Sequence, residues 1–402
     1  MSGNEPFALN RIRTRQKKFP DASLPTETAS DRSVRSNFHE CLVKNQSPSL
    51  TRKSKKSNKE GRNIENVTLG DVRFQAWYSS WYPKEFLGKE NNVIKNLFVC
   101  PRCFAYSRGE EKKEIWAWLK HCQNCKMKAI PGKKIYVHGE WIERIDDTPI
   151  TNMETWSVWE VDGATETVFC QNLSLFAKLF LENKSVFFDV SGFKFFLLVY
   201  AAPRASSAET LESQIIGFFS KEKISWDNNN LACILIFPPW QRKGLGSLLI
   251  GISYAIARRK NIMGGPERPI SDLGLKGYRG FWGREIARFI LSRDLDANTY
   301  MTDIETISRE TWISPDDCLS MIKEMDVLDQ NYDISDSLST STKPSNETTK
   351  YEICYKRLGD KSQVSIDRRR LRDWVVREGL QLVSIVSEKG FRPEYCLNDG
   401  IS

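Results

Sequence analysis

The sequence predicts an α+β protein with a metal-binding subdomain before its core and a helical lobe after it. Three observations predict this arrangement. Two pairs of metal-ligating residues, at 100–103 and 121–125, flank a segment with helical apolar spacing. A short apolar strand at 231–237 leads through a glycine-containing loop into an amphipathic helix. Two capped amphipathic helices follow between residues 302 and 322.

The composition predicts a chain that is mostly folded and begins with a basic tail. Its 402 residues are enough for two or three domains, and a hydrophobic content of 40% is too high for a wholly disordered protein. The excess of positive charge lies in residues 1–62, which hold 14 Lys and Arg against 6 Asp and Glu. We predict a disordered tail over residues 1–66. It serves as a nuclear import signal or contacts nucleic acid phosphates, unless it is only solvated.

The apolar runs and the cysteines limit where the protein acts. The longest apolar run, at 193–203, is about half the length that crosses a bilayer, so no membrane contact is expected. The first residues lack the apolar stretch of a secretory signal. Ten cysteines without such a signal are more typical of thiols or metal ligands than of disulfides. We therefore expect the cytosol or the nucleus.

Two ligand pairs predict a zinc site. Cys100-Pro-Arg-Cys103 supplies two thiolates from one turn, and His121-Cys122-Gln-Asn-Cys125 follows the helical segment. Zinc binds four S or N ligands in a tetrahedron, and residues four apart lie on one face of a helix. Cys125 with His121 gives a Cys-Cys-His-Cys site, whereas Cys125 with Cys122 gives a four-cysteine site, and the spacing allows both. Four protein ligands leave no position for water, so the zinc is expected to be structural.

The loop after the apolar strand predicts an anionic ligand. A Pro-Pro pair ends the strand and helical apolar spacing begins at Leu245, so residues 241–246 join a strand to the start of a helix. Gly244 and Gly246 let the backbone approach a ligand, and the free N–H groups of a helix start suit a pyrophosphate. The spacing differs from that of nucleotide-hydrolysing and dinucleotide-binding loops. These residues therefore predict a phosphate-bearing cofactor.

The same loop carries a resemblance to a known family. Gln241-Arg-Lys-Gly-Leu-Gly246 resembles the Q/R-x-x-G-x-G/A acetyl-CoA loop of the acetyltransferase superfamily. The sequence over about residues 70–330 resembles the MYST family of histone acetyltransferases, and most closely its fungal "something about silencing" branch. The segments that carry this resemblance are Trp77-Tyr78, Tyr82-Pro83, the two ligand pairs, Pro131-Gly132, Ile135-Tyr136, Gln171 to Lys178, Gly217 to Lys221, Asn230 to Ile250, Gly265 to Leu275 and Tyr278 to Trp282.

The resemblance implies a domain order and a function. It implies an N-terminal subdomain with a C2HC zinc finger at 67–140, an acetyl-CoA-binding, GNAT-like N-acetyltransferase core at 141–295, and a helix-turn-helix-like lobe at 296–334. The implied function is transfer of acetyl from acetyl-CoA to a lysine of a histone tail in the nucleus, with histone H4 as the substrate and a role in silencing and its boundaries. The implied partners are nucleosomes and the other subunits of a small acetyltransferase complex.

The resemblance also implies roles for individual residues. Glu267 stands at the position of the general base, which must deprotonate a lysine whose ordinary pKa is about 10.4. Cys233 stands at the position of the active-site cysteine, where it accepts the acetyl group or only lines the site. Lys178 stands at the position of the autoacetylated lysine. Gly280 and Trp240 depart from the family pattern, which has Ser and Tyr there in many members. The implied cofactor contacts are the backbone of Ile234, Leu235 and Ile236 along the pantetheine arm, Arg242, Lys243, Gly244, Leu245, Gly246, Ser247 and Leu248 at the pyrophosphate, and Ser271.

The C-terminal third is predicted to be partly helical. Residues 302–308 and 314–322 have N-capping residues and amphipathic spacing, and we expect these helices to pack against the core rather than bind DNA. The Ser- and Thr-rich residues 335–350 predict a polar linker. In the C-terminal extension, 351–402, the stretch 364–376 predicts one capped basic helix.

Two other functions are compatible with parts of the sequence. A catalytically weak, chromatin-binding scaffold subunit of an acetyltransferase complex would use the zinc finger and the basic tail, but the intact Glu267 and cofactor loop disfavour it. A small-molecule N-acetyltransferase would share the cofactor loop alone, and the zinc finger disfavours it.

Overall fold

The folded structure starts within the region predicted to be a tail. The first strand begins at Ile64, whose side chain is fully buried, so residues 64–66 belong to the fold. The predicted tail before residue 62 and the predicted linker at 335–350 lie outside the described residues. A computed structural model of the chain describes residues 62–88, 93–138, 155–201, 213–293, 298–328, 364–393 and 395.

A four-stranded sheet and two helices form the N-terminal subdomain. The sheet has one parallel pair, β1 with β3, because β3 returns to the side of β1 opposite β2. Buried and exposed residues alternate imperfectly along β1 and β3, as expected for strands with one face on a core. The elements are β1 (Ile64–Leu69), β2 (Val72–Gln75), α1 (Lys84–Leu87), β3 (Ile94–Val99), β4 (Tyr106–Arg108) and α2 (Lys112–Gln123), with the strand order β2-β1-β3-β4.

Five antiparallel strands form the central sheet in the order of the sequence. They are β5 (Lys133–His138), β6 (Thr155–Asp162), β7 (Phe193–Ala201), β8 (Ser213–Glu222) and β9 (Cys233–Ile236). β5 lies in the range assigned from the sequence to the N-terminal subdomain, yet it pairs with β6 in the central sheet. β9 is shorter than the predicted strand at 231–237, because Leu231 bridges Pro266 instead of β8.

Three helices share one hydrophobic core with the central sheet: α3 (Thr167–Lys178), α4 (Leu245–Arg259) and α5 (Asp272–Leu291). Phe104, in the turn after β3, lies with its ring centroid 5.4 Å from Phe176 of α3 and 6.0 Å from Phe237 at the end of β9. Aromatic pairs at such distances stabilise beyond the area they bury. This cluster therefore fastens the N-terminal subdomain to the central sheet.

The two helices predicted for the helical lobe are present. After β10 (Thr299–Thr302), Asp303 caps α6 (Ile304–Thr311) by accepting a hydrogen bond from the Thr306 N–H at 2.7 Å. Ser314 caps α7 (Pro315–Met325). Both helices contact α5. The lobe thus packs against the core.

The C-terminal extension adds a strand and a helix to this lobe. The sequence predicts one helix over 364–376, but Val364–Asp367 form strand β11, antiparallel to β10, and α8 spans Arg368–Arg377 with Asp367 as its cap. Residues 364–367 form their backbone hydrogen bonds with β10, whereas the prediction placed these residues in one longer helix. Within the described part of the chain, no helix combines the length and the apolar composition that crossing a membrane requires.

The last described residues cover the outer edge of the central sheet. Phe391 forms an isolated antiparallel bridge with Tyr136 of β5, and the two ring centroids are 4.9 Å apart. The Arg392 N–H donates to the Ile135 carbonyl at 2.9 Å, and the Tyr395 hydroxyl donates to the Glu160 carboxylate. β5 is therefore not left with an open edge along this stretch.

We predict that Gly283→Ala destabilises the protein, because α8 packs directly on this glycine of α5. A Cβ at Gly283 would lie 2.3 Å from Cη2 of the buried Trp374. Overpacking of this kind should lower the free energy of unfolding by about 1–3 kcal/mol. The matched control is Gly280→Ala in the same helix, where a Cβ meets no heavy atom within 4 Å. The control should be neutral or gain up to about 1 kcal/mol from helix propensity. Chemical denaturation measures both, and equal stability of the two variants would contradict the packing argument.

Candidate functional site

Four zinc ligands lie together at the end of the N-terminal subdomain. The ligand atoms of Cys100, Cys103, His121 and Cys125 all lie within 4.8 Å of one another. Sγ of Cys103 is 3.2 Å from Nε2 of His121. Around a tetrahedral zinc with Zn–S bonds of about 2.3 Å, ligand atoms are about 3.8 Å apart, so this group fits the ion. With four protein ligands the zinc is structural.

The turn after β3 brings the first two cysteines together. The Cys100 N–H donates to the Ala105 carbonyl at 2.8 Å, and the Phe104 N–H donates to the Cys100 carbonyl at 3.0 Å. The hydrogen bond with Cys103 holds the pKa of Cys100 well below its usual range. The same hydrogen bond raises the pKa of Cys103, and zinc binds both residues as thiolates.

The end of α2 decides between the two ligand sets that the spacing allowed. His121 lies in the last turn of α2, and Cys125 follows just after the helix ends. Both of their ligand atoms belong to the four-atom group, whereas the Cys122 thiol does not. The Cys122 thiol lies outside this group and forms a hydrogen bond with Cys100, and the Cys122 carbonyl accepts one from Arg102 at 2.9 Å. The set is therefore Cys-Cys-His-Cys.

The outer side of β9 is an open strand edge. β9 is the last strand of the central sheet and pairs with β8 on one side. Among the described residues, no strand pairs with its other side over Ile234–Ile236. The Gln241 amide donates to the Ile236 carbonyl at 2.7 Å and ties the following loop to the strand. An extended ligand can pair with the backbone groups that remain.

The loop before α4 leaves space for an anion. Gly244 caps α4 in the left-handed conformation, with φ of 76°, and a Cβ at Gly244 or Gly246 would meet no heavy atom within 4 Å. The first N–H groups of a helix have no helical acceptor. Arg242 and Lys243 are exposed beside them. Open space, free N–H groups and two cations together suit a pyrophosphate.

Some predicted cofactor residues have structural roles. The side chains of Leu245 and Leu248 are buried in the core, so ligand contacts there fall to the backbone, and Ser247 is half-buried. Ser271 caps α5, and its hydroxyl oxygen accepts a hydrogen bond from the Gly274 N–H at 3.2 Å. The Ser271 hydroxyl hydrogen remains a donor for a ligand.

Backbone hydrogen bonds place Glu267 beside the start of β9. The Glu267 N–H donates to the Leu231 carbonyl at 3.0 Å, and the Asn230 N–H donates to the Gly265 carbonyl at 2.8 Å. Cys233 follows Leu231 by two residues and is half-buried. The structure therefore brings the predicted base and the predicted active-site cysteine to the same end of β9.

The surroundings of Glu267 favour a proton acceptor. Its side chain reaches solvent, yet loss of water around it raises the pKa of the carboxyl, and the charge of Glu222 raises it further. The charge of Lys184 acts in the opposite direction. A carboxyl with a raised pKa is a stronger base than an ordinary one.

The two lysines near α3 differ in their environments. Nζ of Lys178 donates to the carbonyls of Leu181, at 3.4 Å, and of Glu182, so this amino group binds the backbone just after α3. Lys184 is 6% exposed, and its charge acts on Glu267. Sequence reasoning missed Lys184, because its polar neighbours Asn183 and Ser185 predict an exposed loop.

A buried carboxylate holds the segment that carries Glu267. Asp317 of α7 is 2% exposed and pairs with Arg268 at 2.5 Å, while the Ser314 hydroxyl donates to its other oxygen at 2.8 Å. A Cβ at Gly265 would lie 2.9 Å from this carboxylate. Burial raises the pKa of Asp317, and the bonds from Ser314 and Arg268 oppose that shift. The sequence predicts a capped amphipathic helix over 314–322, and that pattern does not distinguish Asp317 from an exposed residue of the first turn.

Comparisons with known proteins match both the zinc-binding subdomain and the core. The profile of the MOZ/SAS family matches residues 130–371, and the profile of the MYST family zinc finger domain matches residues 61–122. Putative MYST-like histone acetyltransferase 1 of Oryza sativa subsp. japonica is 36% identical over 267 residues, which are 66% of this chain and 51% of that protein. Histone acetyltransferase of the MYST family 1 of Arabidopsis thaliana is 35% identical over 267 residues, 66% and 52% of the two chains. Histone acetyltransferase mst1 of Schizosaccharomyces pombe is 32% identical over 267 residues, 66% and 50% of the two chains. The chain thus spans about half the length of these relatives.

We predict that Cys125→Ser and His121→Ala abolish stoichiometric zinc binding and lower the melting temperature, since each removes one of four ligands. The matched control is Cys122→Ser, which changes a neighbouring thiol outside the group and should keep its zinc. Metal analysis of the purified variants and thermal unfolding measure both effects. Equal zinc loss from Cys122→Ser and Cys125→Ser would contradict the assigned ligand set.

We also predict that Asp317→Asn loosens the Glu267 segment. Loss of a buried ionic partner should make the Glu267 amide exchange its hydrogen about tenfold faster or more. Hydrogen exchange of peptides covering residues 228–236 and 264–271 measures this. The control is Glu324→Gln, which breaks the exposed Arg279–Glu324 pair of the same helix and should leave both peptides unchanged. Unchanged exchange in Asp317→Asn would show that the carboxylate does not hold this segment.

Proposed function

The chain belongs to the MYST family of histone acetyltransferases, and from this membership we propose that it transfers an acetyl group from acetyl-CoA to a lysine of a histone tail. Its zinc-binding subdomain and its GNAT-like core match the two parts of that family's catalytic region. The observation that carries the proposal is the position of Glu267, a partly desolvated carboxyl at the end of β9 where the open strand edge begins.

In the proposed reaction Glu267 acts as the general base. A lysine ammonium cannot attack a carbonyl carbon until it loses a proton, and the Glu267 carboxylate accepts that proton. Acetyl-CoA, when bound, supplies the thioester carbonyl that the neutral amine attacks, with release of CoA as a thiol. The hydrogen bond from the Glu267 N–H to the Leu231 carbonyl fixes the backbone of the base relative to β9.

The open edge and the loop are proposed to hold acetyl-CoA. The backbone of Ile234–Ile236 would pair with the pantetheine arm, and residues 242–248 would bind the pyrophosphate through N–H groups and two cations. Ser271 would donate its hydroxyl hydrogen. These assignments rest on the open edge, the two uncovered glycines and the exposed Arg242 and Lys243.

We propose direct transfer to the lysine, with Cys233 lining the site. Glu267 can deprotonate the lysine without a covalent acetyl-cysteine, so the direct route needs one fewer step. Autoacetylation of Lys178 stays a prediction. It requires the Lys178 amino group to leave the carbonyls of Leu181 and Glu182.

The finer assignments follow the family resemblance. We propose histone H4 within nucleosomes as the substrate, a nuclear location, and action in silencing and its boundaries together with other subunits of a small complex. The basic residues 1–62 support nuclear import and contact with nucleic acid phosphates.

We predict that Glu267→Gln lowers kcat for acetyl transfer to core histones by about 10²–10⁴-fold. The amide keeps the shape of the side chain but cannot accept the proton. In the wild type, kcat should fall as the pH drops through the raised Glu267 pKa, above the ordinary 4.5. The variant should lack this acidic limb and still bind acetyl-CoA. Transfer of labelled acetyl, measured against pH, tests both statements.

Two controls complete this experiment. Glu378→Gln changes a glutamate that follows α8 and should leave kcat unchanged. Cys233→Ser should retain most activity if transfer is direct and lose it if the acetyl group passes through the thiol. Bound acetyl-CoA without transfer to histones or nucleosomes, alone or in cell extract, would instead favour a scaffold subunit.

A further inference from the structure

The turn between β8 and β9, residues 223–229, presents two apolar side chains to solvent. Trp226 is 96% exposed and Ile224 is 82% exposed. Tryptophan is on average among the more buried residue types, and its large apolar surface is costly to leave in water. When such a side chain projects from a fixed backbone, it commonly forms the anchor of an interface.

The backbone of this turn is fixed. The Lys223 N–H donates to the Gly192 carbonyl at 2.9 Å, and the Lys223 ammonium pairs with Asp162 at 2.7 Å. The Asn229 N–H donates to the Ser225 hydroxyl at 3.1 Å. The exposure of Trp226 is therefore built into an ordered turn, which lowers the entropy cost of binding a partner.

The same turn is joined to the segment that carries Glu267. A Cβ at Gly264 would lie only 1.8 Å from the Asn228 carbonyl oxygen, so the two backbones are in direct contact. Two residues after Asn228, the Asn230 N–H donates to the carbonyl of Gly265, the residue after Gly264. The turn that carries Trp226 thus packs on the segment that carries Glu267.

The turn carries one exposed carboxylate that can attract a basic partner. Lys223 is paired with Asp162, and the Lys221 ammonium donates to the Asn229 carbonyl at 2.7 Å. In the described part of the chain, no ion pair or hydrogen bond engages the exposed Asp227. An exposed indole face and an exposed carboxylate on one turn can both attract Lys and Arg side chains.

We propose that Ile224, Trp226 and Asp227 form a docking surface for the basic residues that flank the acceptor lysine in the substrate tail. This inference rests on the proposed function, since it names a second contact of the same substrate. The turn binds the flanking residues while Glu267 acts on the acceptor lysine. Sequence preference around the acceptor then depends on this turn.

The test compares Trp226→Ala with Trp116→Ala, which removes a tryptophan that is 58% exposed on α2. The probe is a labelled histone H4 tail peptide, and fluorescence anisotropy measures its Kd without any need for turnover. Trp226→Ala should raise this Kd, and KM for the peptide, by about five- to tenfold, with KM for acetyl-CoA unchanged. Trp116→Ala should change none of them. A peptide whose flanking Lys and Arg are replaced by Gln should bind both variants and the wild type equally weakly.

The outcomes separate this inference from the proposed function. If peptide binding depends on Trp226 but no acetyl is transferred, the docking surface is supported and the proposed acetyltransferase activity is contradicted. Acetyl transfer with equal peptide Kd and KM in Trp226→Ala and wild type overturns the docking surface alone. A loss of nucleosome binding without a loss of peptide binding also overturns it, because the turn would then contact another part of the nucleosome. Absence of any peptide binding by the wild type overturns it as well.

Discussion

The unsatisfied backbone of β9 is the constraint on which the site depends. A strand at the end of a sheet has N–H and C=O groups on its outer side, and these need partners wherever water is excluded. Residues 265–267 pair with Asn230 and Leu231 just before β9, and they leave Ile234–Ile236 open. This division places a carboxylate where the open edge begins. The position of Glu267 thus follows from strand pairing rather than from contacts of its own side chain.

The helical lobe takes part in the site through one buried charge. A carboxylate that is 2% exposed is costly unless it is paired, and Asp317 finds its partners in Arg268 and the Ser314 hydroxyl. Because α7 packs on α5, and α8 packs on α5 through Trp374, the orientation of the lobe affects the segment around Glu267. The lobe therefore orders the segment that carries Glu267 as well as covering the core.

Local features of the fold and site were predictable from the sequence, and features set by tertiary contacts were not. The zinc ligand pairs, the glycine loop and the caps of α6 and α7 depend on residues a few positions apart, so their spacing contains the information. The choice of His121 over Cys122 depends on where the end of α2 points. β11 depends on the presence of β10, and the burial of Lys184 and Asp317 depends on segments distant in sequence.

The cover over β5 has a consequence for biosynthesis. The edge of this strand is closed by Phe391 and Arg392, which follow it by about 250 residues. At translation rates of roughly 5–20 residues per second, Phe391 and Arg392 are synthesised on the order of 10–50 s after β5. An open strand edge during that interval can pair with the same edge of another nascent chain. Chaperone protection of the growing chain, or early occupation of the edge by another protein, would then govern the yield of correctly folded protein.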